Sequence, residues 1–322
     1  MQAVTIHEGG ELRFGEEPDP VARPGEVVVE LRRAALNRRD LMVRSGALPV
    51  AYPFVPGSDG AGVRRDTGEE VVILPSLRWG EREDAPGPGF EILGGPTDGT
   101  FAELVVLPEA NVLPRPRGLS WEEAAALPLA GLTAHRALFG RGGLVAGETV
   151  LVLGAGSGVS TFAVQLAAQA GARVLVTSSS QEKIDRAVAV GAERGVLYTD
   201  AGWVDEVRAL TGGTGVDLVL DSVGSTWADS VRCVRGGGRV AVFGATGAAE
   251  ATLGVRPVYI TQVSILGTTM GSPRDFAALL ASLERGTWRP VVEGCLPLAD
   301  AEAALDRLAV AGHFGKLVLA CS

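Results

Sequence analysis

Glu148-Thr-Val-Leu-Val-Leu-Gly154-Ala-Gly156-Ser157-Gly158-Val159-Ser160 reads as a buried strand running directly into a glycine-rich turn that opens a helix. The helix continues through Thr161–Ala170, which is built from good helix formers with a long apolar face, and Gly171 stops it. Ala172-Arg-Val-Leu-Val-Thr177 then supplies a second buried strand. Strand, glycine turn, helix and parallel strand within about 30 residues form the arrangement that cradles a dinucleotide pyrophosphate. Glycines let the backbone approach the phosphates, and the free N–H groups at the helix start carry positive partial charge. Gly154, Gly156, Ser157, Gly158 and Val159 are therefore the candidate phosphate-binding residues. The turn is a variant of G-x-G-x-x-G, and its strand and helix context gives it weight.

Outward from this point the chain keeps alternating. Strands are expected at Thr149–Leu153, Arg173–Thr177, Gly195–Leu197, Leu218–Asp221, Arg239–Phe243 and Val263–Leu266, with helices at Ser180–Val190, Trp203–Leu210 and Trp227–Val234. Six strands with intervening helices make a doubly wound parallel sheet. Residues 1–118 instead read as short strands between turn signals. In Gly25–Arg32 the alternation puts Val27, Val29 and Leu31 on one face, which suggests a barrel-like β domain. Residues 79–99 hold three prolines and six glycines, the mark of a surface lobe. Ser120-Trp-Glu-Glu123 is a capping-box signature for a helix start. The tail, with a helix near 299–311 and a last strand Lys316–Leu319, is expected to return to the first domain.

The 322 residues suggest two domains, and 46% hydrophobic with 21% charged residues suits a globular enzyme. A net charge of −9 with no basic block argues against nucleic-acid or membrane-surface partners. No signal-peptide layout or spanning run is evident, so a cytosolic protein is the plain expectation. Cys233, Cys295 and Cys321 lack ligand spacing, which speaks against a disulfide framework or a cysteine zinc site. The basic residues comprise 27 arginines and two lysines, Lys183 and Lys316.

An NAD site usually places a carboxylate at the end of the second strand, to hold the ribose hydroxyl. Here Thr177-Ser178-Ser179-Ser180 stands there, followed by Lys183. Hydroxyls, helix-start N–H groups and an ammonium suit a 2′-phosphate, so NADP(H) is favoured over NAD(H), with Tyr198 bordering the adenosine pocket. The local alternative is that the serines merely cap a helix and Lys183 is solvated.

Further motifs bring a family into view. Leu36-Asn37-Arg-Arg39-Asp40 with Val43-Arg-Ser-Gly46 resembles an asparagine-x-x-aspartate motif. Tyr52-Pro-Phe-Val-Pro-Gly57-Ser-Asp-Gly-Ala-Gly62 resembles a barrel turn, and Ala126-Leu-Pro-Leu-Ala-Gly-Leu-Thr133-Ala a domain junction. Gly244-Ala-Thr-Gly247 and Gly315-Lys-Leu-Val-Leu319 match as well. Together they resemble the medium-chain dehydrogenase/reductase superfamily, in its zinc-independent quinone oxidoreductase-like branch, over essentially the whole chain. The resemblance implies an α/β protein with a doubly wound, parallel six-stranded Rossmann domain at 131–270. A GroES-like β-barrel domain would comprise 1–130 and 271–322. It also implies that the nicotinamide lies between the domains, near Thr133, Phe243, Gly244, Leu266 and Thr268. Val223, Ala245 and Gly267 join the cofactor set, and Lys316 resembles the basic residue that approaches the pyrophosphate. The alternative for Lys316 is a surface charge beside the last strand.

By the same comparison, the catalytic zinc ligands of the family's alcohol dehydrogenases fall here on Asn37, Ser58 and Leu129, and the structural-zinc lobe on residues 79–99, which lack cysteine. No metal site is expected. Without a Lewis acid, oxidising an alcohol is difficult, whereas hydride transfer from NADPH to a quinone or an activated alkene (enone or enoyl) needs alignment and dryness. Candidate catalytic residues are Asn37, Arg39 and Tyr52. Arg39 would polarise a carbonyl or bind an anion, or else pair with Asp40 or Asp59. Tyr52 would donate a proton, or else pack. His135 is expected to face core or solvent. Ser160 departs from the branch, which has a glycine there, so the turn is expected to sit slightly further out. Val263–Met270 resembles the edge strand through which family members pair, implying a homodimer. Acceptor specificity is assigned to loops 45–56, 76–99 and 271–274. Two alternatives stand: an alcohol dehydrogenase-type NAD(P) oxidoreductase with an atypical metal site, and a non-catalytic NADPH-binding sensor.

Overall fold

The computed structural model describes every residue except Pro49, so that position of the 45–56 loop lies outside the described residues. The chain forms two compact units, Met1–Leu132 with Ser272–Ser322, and Thr133–Gly271. The tail thus returns to the first unit.

In the second unit the strands are β1 (Thr149–Val152), β2 (Arg173–Ser178), β3 (Arg194–Leu197), β4 (Val216–Asp221), β5 (Val234–Val242) and β6 (Ser264–Gly267). Its helices are α1 (Gly158–Gln169), α2 (Gln181–Ala189), α3 (Trp203–Leu210), α4 (Trp227–Cys233) and α5 (Val255–Thr261). The sheet runs β3-β2-β1-β4-β5-β6, and every pairing is parallel. The cause is visible in the residues: Val150, Leu151 and Val152 of β1 are buried, as are Val174–Val176 of β2, because helices cover a parallel sheet on both faces. α1 turns Phe162, Ala163, Val164, Leu166 and Ala167 inward. Full burial of each larger side chain contributes about 1.5–3 kcal/mol.

The first unit is built on the long strand Glu26–Ala35, which buries Val27, Val29 and Leu31 as the alternation requires. It pairs antiparallel with Asp59–Arg64, Leu104–Pro108 and the last strand, Lys316–Ala320. These belong to a seven-stranded sheet whose core includes Phe101, Leu305, Leu317 and Leu319. The 79–99 segment is more than a surface lobe. Trp79 is 2% exposed, meets Phe90 edge-on at 5.2 Å and donates its indole N–H to Arg82 O at 2.8 Å. Residues 273–274, expected in a loop, instead open the helix Pro273–Arg285, where Ser272 caps Asp275 N and Asp275 accepts Ser272 N. The cysteines are unbridged. Among the described residues no helix is long and apolar enough to cross a membrane.

Candidate functional site

In the second unit the expected cofactor residues follow the strand ends in turn. β1 leads into Gly154–Val159, β2 into Ser178–Lys183, β3 into Tyr198, β4 into Val223 and β5 into Phe243–Ala245, while Leu266, Gly267 and Thr268 close β6. Open parallel sheets bind ligands at this carboxyl edge, beside the point where strand order reverses. Here that point is between β1 and β4.

Gly154 (φ +72°) and Gly156 (φ +106°) hold left-handed backbone, which glycine adopts without strain. Behind them, Gly154 N donates to Thr177 Oγ1 at 3.3 Å and Ala155 N to Thr177 O at 2.7 Å. Ser157 caps α1 by accepting Ser160 N at 3.1 Å. Ser160 is 3% exposed, and its hydroxyl is shared between Gly154 O (2.9 Å) and Ser157 O (3.0 Å). The Ser160 hydroxyl thus ties the turn to the first turn of the helix.

At the end of β2 no carboxylate is present. Ser178 Oγ accepts Ser180 N at 3.2 Å and Ser180 Oγ accepts Lys183 N at 3.4 Å, so two of the three hydroxyls serve local backbone. Ser179 is exposed and Lys183 partly so. Tyr198, 47% exposed, is fixed beside them by its N–H to Ser178 O at 3.0 Å.

Asp221, which the sequence reading passed over, organises the next loop. It is fully buried and accepts Val223 N (2.8 Å), Gly224 N (3.3 Å), Thr226 Oγ1 (2.7 Å) and Ser230 Oγ (2.7 Å). An aspartate at a strand end, three residues before a glycine, was the available signal. The loop in turn holds Thr246 N on Ser222 O and Gly247 N on Val223 O. Thr268 Oγ1 is buried without a hydrogen-bond partner, while its N–H donates to Val242 O. Thr133 is buried on the helix Pro128–His135, and His135 packs on Phe139 at 5.1 Å.

In the first unit Asn37, Asp40, Asp59 and Lys316 are all buried. Lys316 Nζ donates to Leu36 O (2.7 Å), Asn37 Oδ1 (2.6 Å) and Asp59 Oδ2 (2.9 Å). At 3% exposure Lys316 is not the surface charge of the alternative reading, and its three hydrogens are committed inside the unit. Asn37 Nδ2 donates to Asp59 Oδ2 at 2.9 Å, and Asp59 Oδ1 accepts Leu129 N at 2.7 Å. Asp40 Oδ2 accepts Asn37 N at 2.7 Å, starting the helix Arg38–Arg44, while its Oδ1 is buried without a partner. Burial pushes the Asp40 carboxyl up to about 6, against the pull of Arg39, the Asn37 N–H and Lys316.

Arg39 turns its hydrogens to neutral oxygens. Nη1 donates to Ser58 Oγ (2.9 Å), Leu93 O (2.9 Å) and Gly94 O (3.2 Å), and Nη2 to Gly95 O (3.2 Å). The expected ion pair with Asp40 or Asp59 is thereby corrected, and Nη1 is fully engaged by protein oxygens. Burial pushes the guanidinium below its usual value, and the two carboxylates act through space to raise it. The carbonyls reach Arg39 because backbone packs on backbone: a Cβ on Gly94 would lie 2.3 Å from Gly57 O, and one on Gly99 1.9 Å. Tyr52 packs with Ile6, Val43 and Phe54, its ring 5.9 Å from that of Phe54, which favours the packing role over proton donation.

Two family models match the chain, the alcohol dehydrogenase GroES-like domain at residues 23–117 and the zinc-binding dehydrogenase at 158–285. A zinc-type alcohol dehydrogenase-like protein of Schizosaccharomyces pombe is 36% identical over 316 residues, covering 92% of this chain and 91% of that protein. A solved NAD-dependent alcohol dehydrogenase is 41% identical, with a TM-score of 0.94 and full coverage of both chains. The quinone oxidoreductase of Thermus thermophilus, solved also with NADPH, is 32% identical with a TM-score of 0.84, covering 99% of this chain and all of that one.

The zinc that one model's description implies does not fit the residues at the three ligand positions. The Asn37 amide is spent on Lys316 and Asp59, the Ser58 hydroxyl accepts from Arg39 and donates to Leu93 O at 2.7 Å, and Leu129 offers an alkyl group. Among the described residues no group of three or more His, Cys, Asp and Glu could hold a metal ion. Fold, family models and relatives agree: the chain belongs to the medium-chain dehydrogenase/reductase superfamily, as one of its oxidoreductases.

Proposed function

We propose that this protein is a zinc-independent, NADPH-dependent reductase that transfers hydride to a quinone or an activated alkene. The observation carrying the reading is the donor chemistry of Asn37, Ser58 and Leu129: the two polar groups are committed to protein cations and the third is apolar. Acceptors that are already electron-poor need no Lewis acid, and the protein's task is to bind, orient and exclude water.

When bound, NADPH supplies the hydride. The N–H groups of Gly156, Gly158 and Val159 bind the pyrophosphate at the start of α1, on a turn fixed from behind by the Gly154 and Ala155 N–H groups. Ser179, Lys183 and the exposed ring of Tyr198 hold the 2′-phosphate and adenosine, with Ser178 shaping the turn beneath them. Thr268 Oγ1, buried and without a partner, orients the nicotinamide end together with Thr133, Val223, Phe243–Ala245, Leu266 and Gly267. In the first unit, Asn37 and Arg39 position the chain rather than touch reacting atoms. The proposal further places the protein in the cytosol as a homodimer pairing along β6, an uncovered sheet edge next to α5, whose Val255, Tyr259 and Ile260 are exposed. A monomeric mass by light scattering would remove the dimer.

The deciding experiment is oxidation of NADPH and NADH across a panel of quinones, enones and enoyl thioesters, with elemental analysis of protein purified without chelator. Turnover with NADPH by zinc-free protein is expected. A second reading, an NAD-dependent alcohol dehydrogenase, draws support from the 41% identical relative and from the local use of Ser178 and Ser180. Stoichiometric zinc and NADH preference would establish it. Tight coenzyme binding without turnover would favour a sensor.

A further inference from the structure

We propose that Lys316 is a positioning residue whose ammonium is a built-in cation, tying together the three chain segments on which the family's zinc ligands fall. The inference rests on the metal-free half of the proposed function and is independent of the coenzyme and the acceptor.

The geometry is that of a small cation in an oxygen cage. Three hydrogens meet three oxygens within 2.6–2.9 Å, from Leu36, Asn37 and Asp59. Leu36 follows the strand Glu26–Ala35, Asn37 precedes the helix Arg38–Arg44, and Asp59 opens the strand Asp59–Arg64 next to Ser58. Through its other oxygen Asp59 captures Leu129 N, so the third segment is two hydrogen bonds from the ammonium. Asn37, the Ser58–Asp59 turn and Leu129 are thus held by one buried network.

A lone buried ammonium is strongly disfavoured, and here the fully buried carboxylate of Asp59 and two neutral oxygens offset that penalty. Residue choice supplies an independent argument. The chain uses arginine at 27 of its 29 basic positions, yet keeps lysine here. A compact ammonium points three hydrogens at converging oxygens, whereas a planar guanidinium presents a fork. With every hydrogen committed, the group has none left to polarise a substrate, so its effect is positional.

The small number of lysines provides a direct test. Full-length protein labelled with 15N only at lysine carries two side-chain ammonium groups, Lys183 and Lys316. One 15Nζ signal should persist near neutral pH, shielded from solvent exchange, vanish in Lys316→Met, and stay unmoved by saturating NADPH or by added zinc chloride. Rapid exchange, or a shift on adding NADPH, would overturn the proposal in favour of a phosphate-contacting lysine. In Lys316→Ala, methylammonium should restore both kcat/KM and the thermal midpoint saturably, after a loss in kcat/KM of roughly tenfold to a hundredfold. Lys316→Met, its cage filled with an uncharged chain, should not respond. Recovery in the Lys316→Met/Asp59→Asn double variant would instead show mere charge neutralisation and refute the tie. Stoichiometric zinc would remove the metal-free reading on separate grounds, while the exchange measurement on Lys316 stands without any assay of turnover.

Discussion

Asp40 makes the stability of the first unit depend on pH in the direction opposite to a typical paired carboxylate. The carboxyl is fully buried, one oxygen has no partner, and its value rises from the usual 3.8 to about 6. Between those values the folded chain holds a proton that the unfolded chain has released. Stability therefore falls as pH rises through the window, and above about 6 the folded state carries the full cost of the buried charge. A displacement of about two units corresponds to ~3 kcal/mol. Asp40→Asn keeps the shape and abolishes the titration. Urea unfolding of wild type and variant, followed through the buried Trp79 and Trp288 of this unit, isolates the effect, because the other carboxylates cancel in the difference. The stability of wild type minus that of Asp40→Asn should fall by ~3 kcal/mol between about pH 3 and about pH 7. A difference that stays flat, or that grows with pH, would refute the reasoning. Growth would mean that the Asn37 N–H and the neighbouring cations outweigh desolvation.

Other expectations concern the second unit and the metal. Asp221→Ala strands four donors and should cost about 3–5 kcal/mol, read as a lower thermal midpoint of that unit; a loss below about 1 kcal/mol would show that water replaces the carboxylate. Ser160→Ala should destabilise by about 1 kcal/mol and weaken NADPH binding a few-fold, and Ser160→Gly by about 1 kcal/mol more, since glycine enters α1. Tyr198→Ala should leave unfolding within about 0.5 kcal/mol of wild type while lowering NADPH affinity several-fold by fluorescence titration; unchanged affinity would take the ring out of the adenosine pocket. Dialysis against chelator, followed by added zinc, should leave the thermal midpoint unmoved.

The β–α alternation of the second unit was legible because its signals are local. Thr149–Val152 and Arg173–Ser178 are short apolar runs flanking a glycine turn, and α3 begins and ends at Trp203 and Leu210 as the periodicity indicates. The helices Arg38–Arg44 and Pro273–Arg285 went unread although Asn37-x-x-Asp40 and Ser272-x-x-Asp275 carry the same cap logic as Ser120-x-x-Glu123. Arg38–Arg44 is only seven residues long and buries just Asp40 and Val43, so it carries little apolar periodicity, and Ser272 stands where the chain passes from the second unit back to the first.

By itself the sequence determined the alternating strand–helix architecture of the second unit with its glycine turn, and the return of the tail to the first unit. Only tertiary structure decided what the polar residues at the three ligand positions do. Lys316 meets Leu36 across 280 residues and Asp59 meets Leu129 across 70. Arg39 finds carbonyls delivered by close glycine packing rather than the carboxylates beside it. Periodicity and caps are encoded in neighbouring residues, whereas the partner of a buried charge is fixed by which distant oxygens the folded backbone brings within about 3 Å.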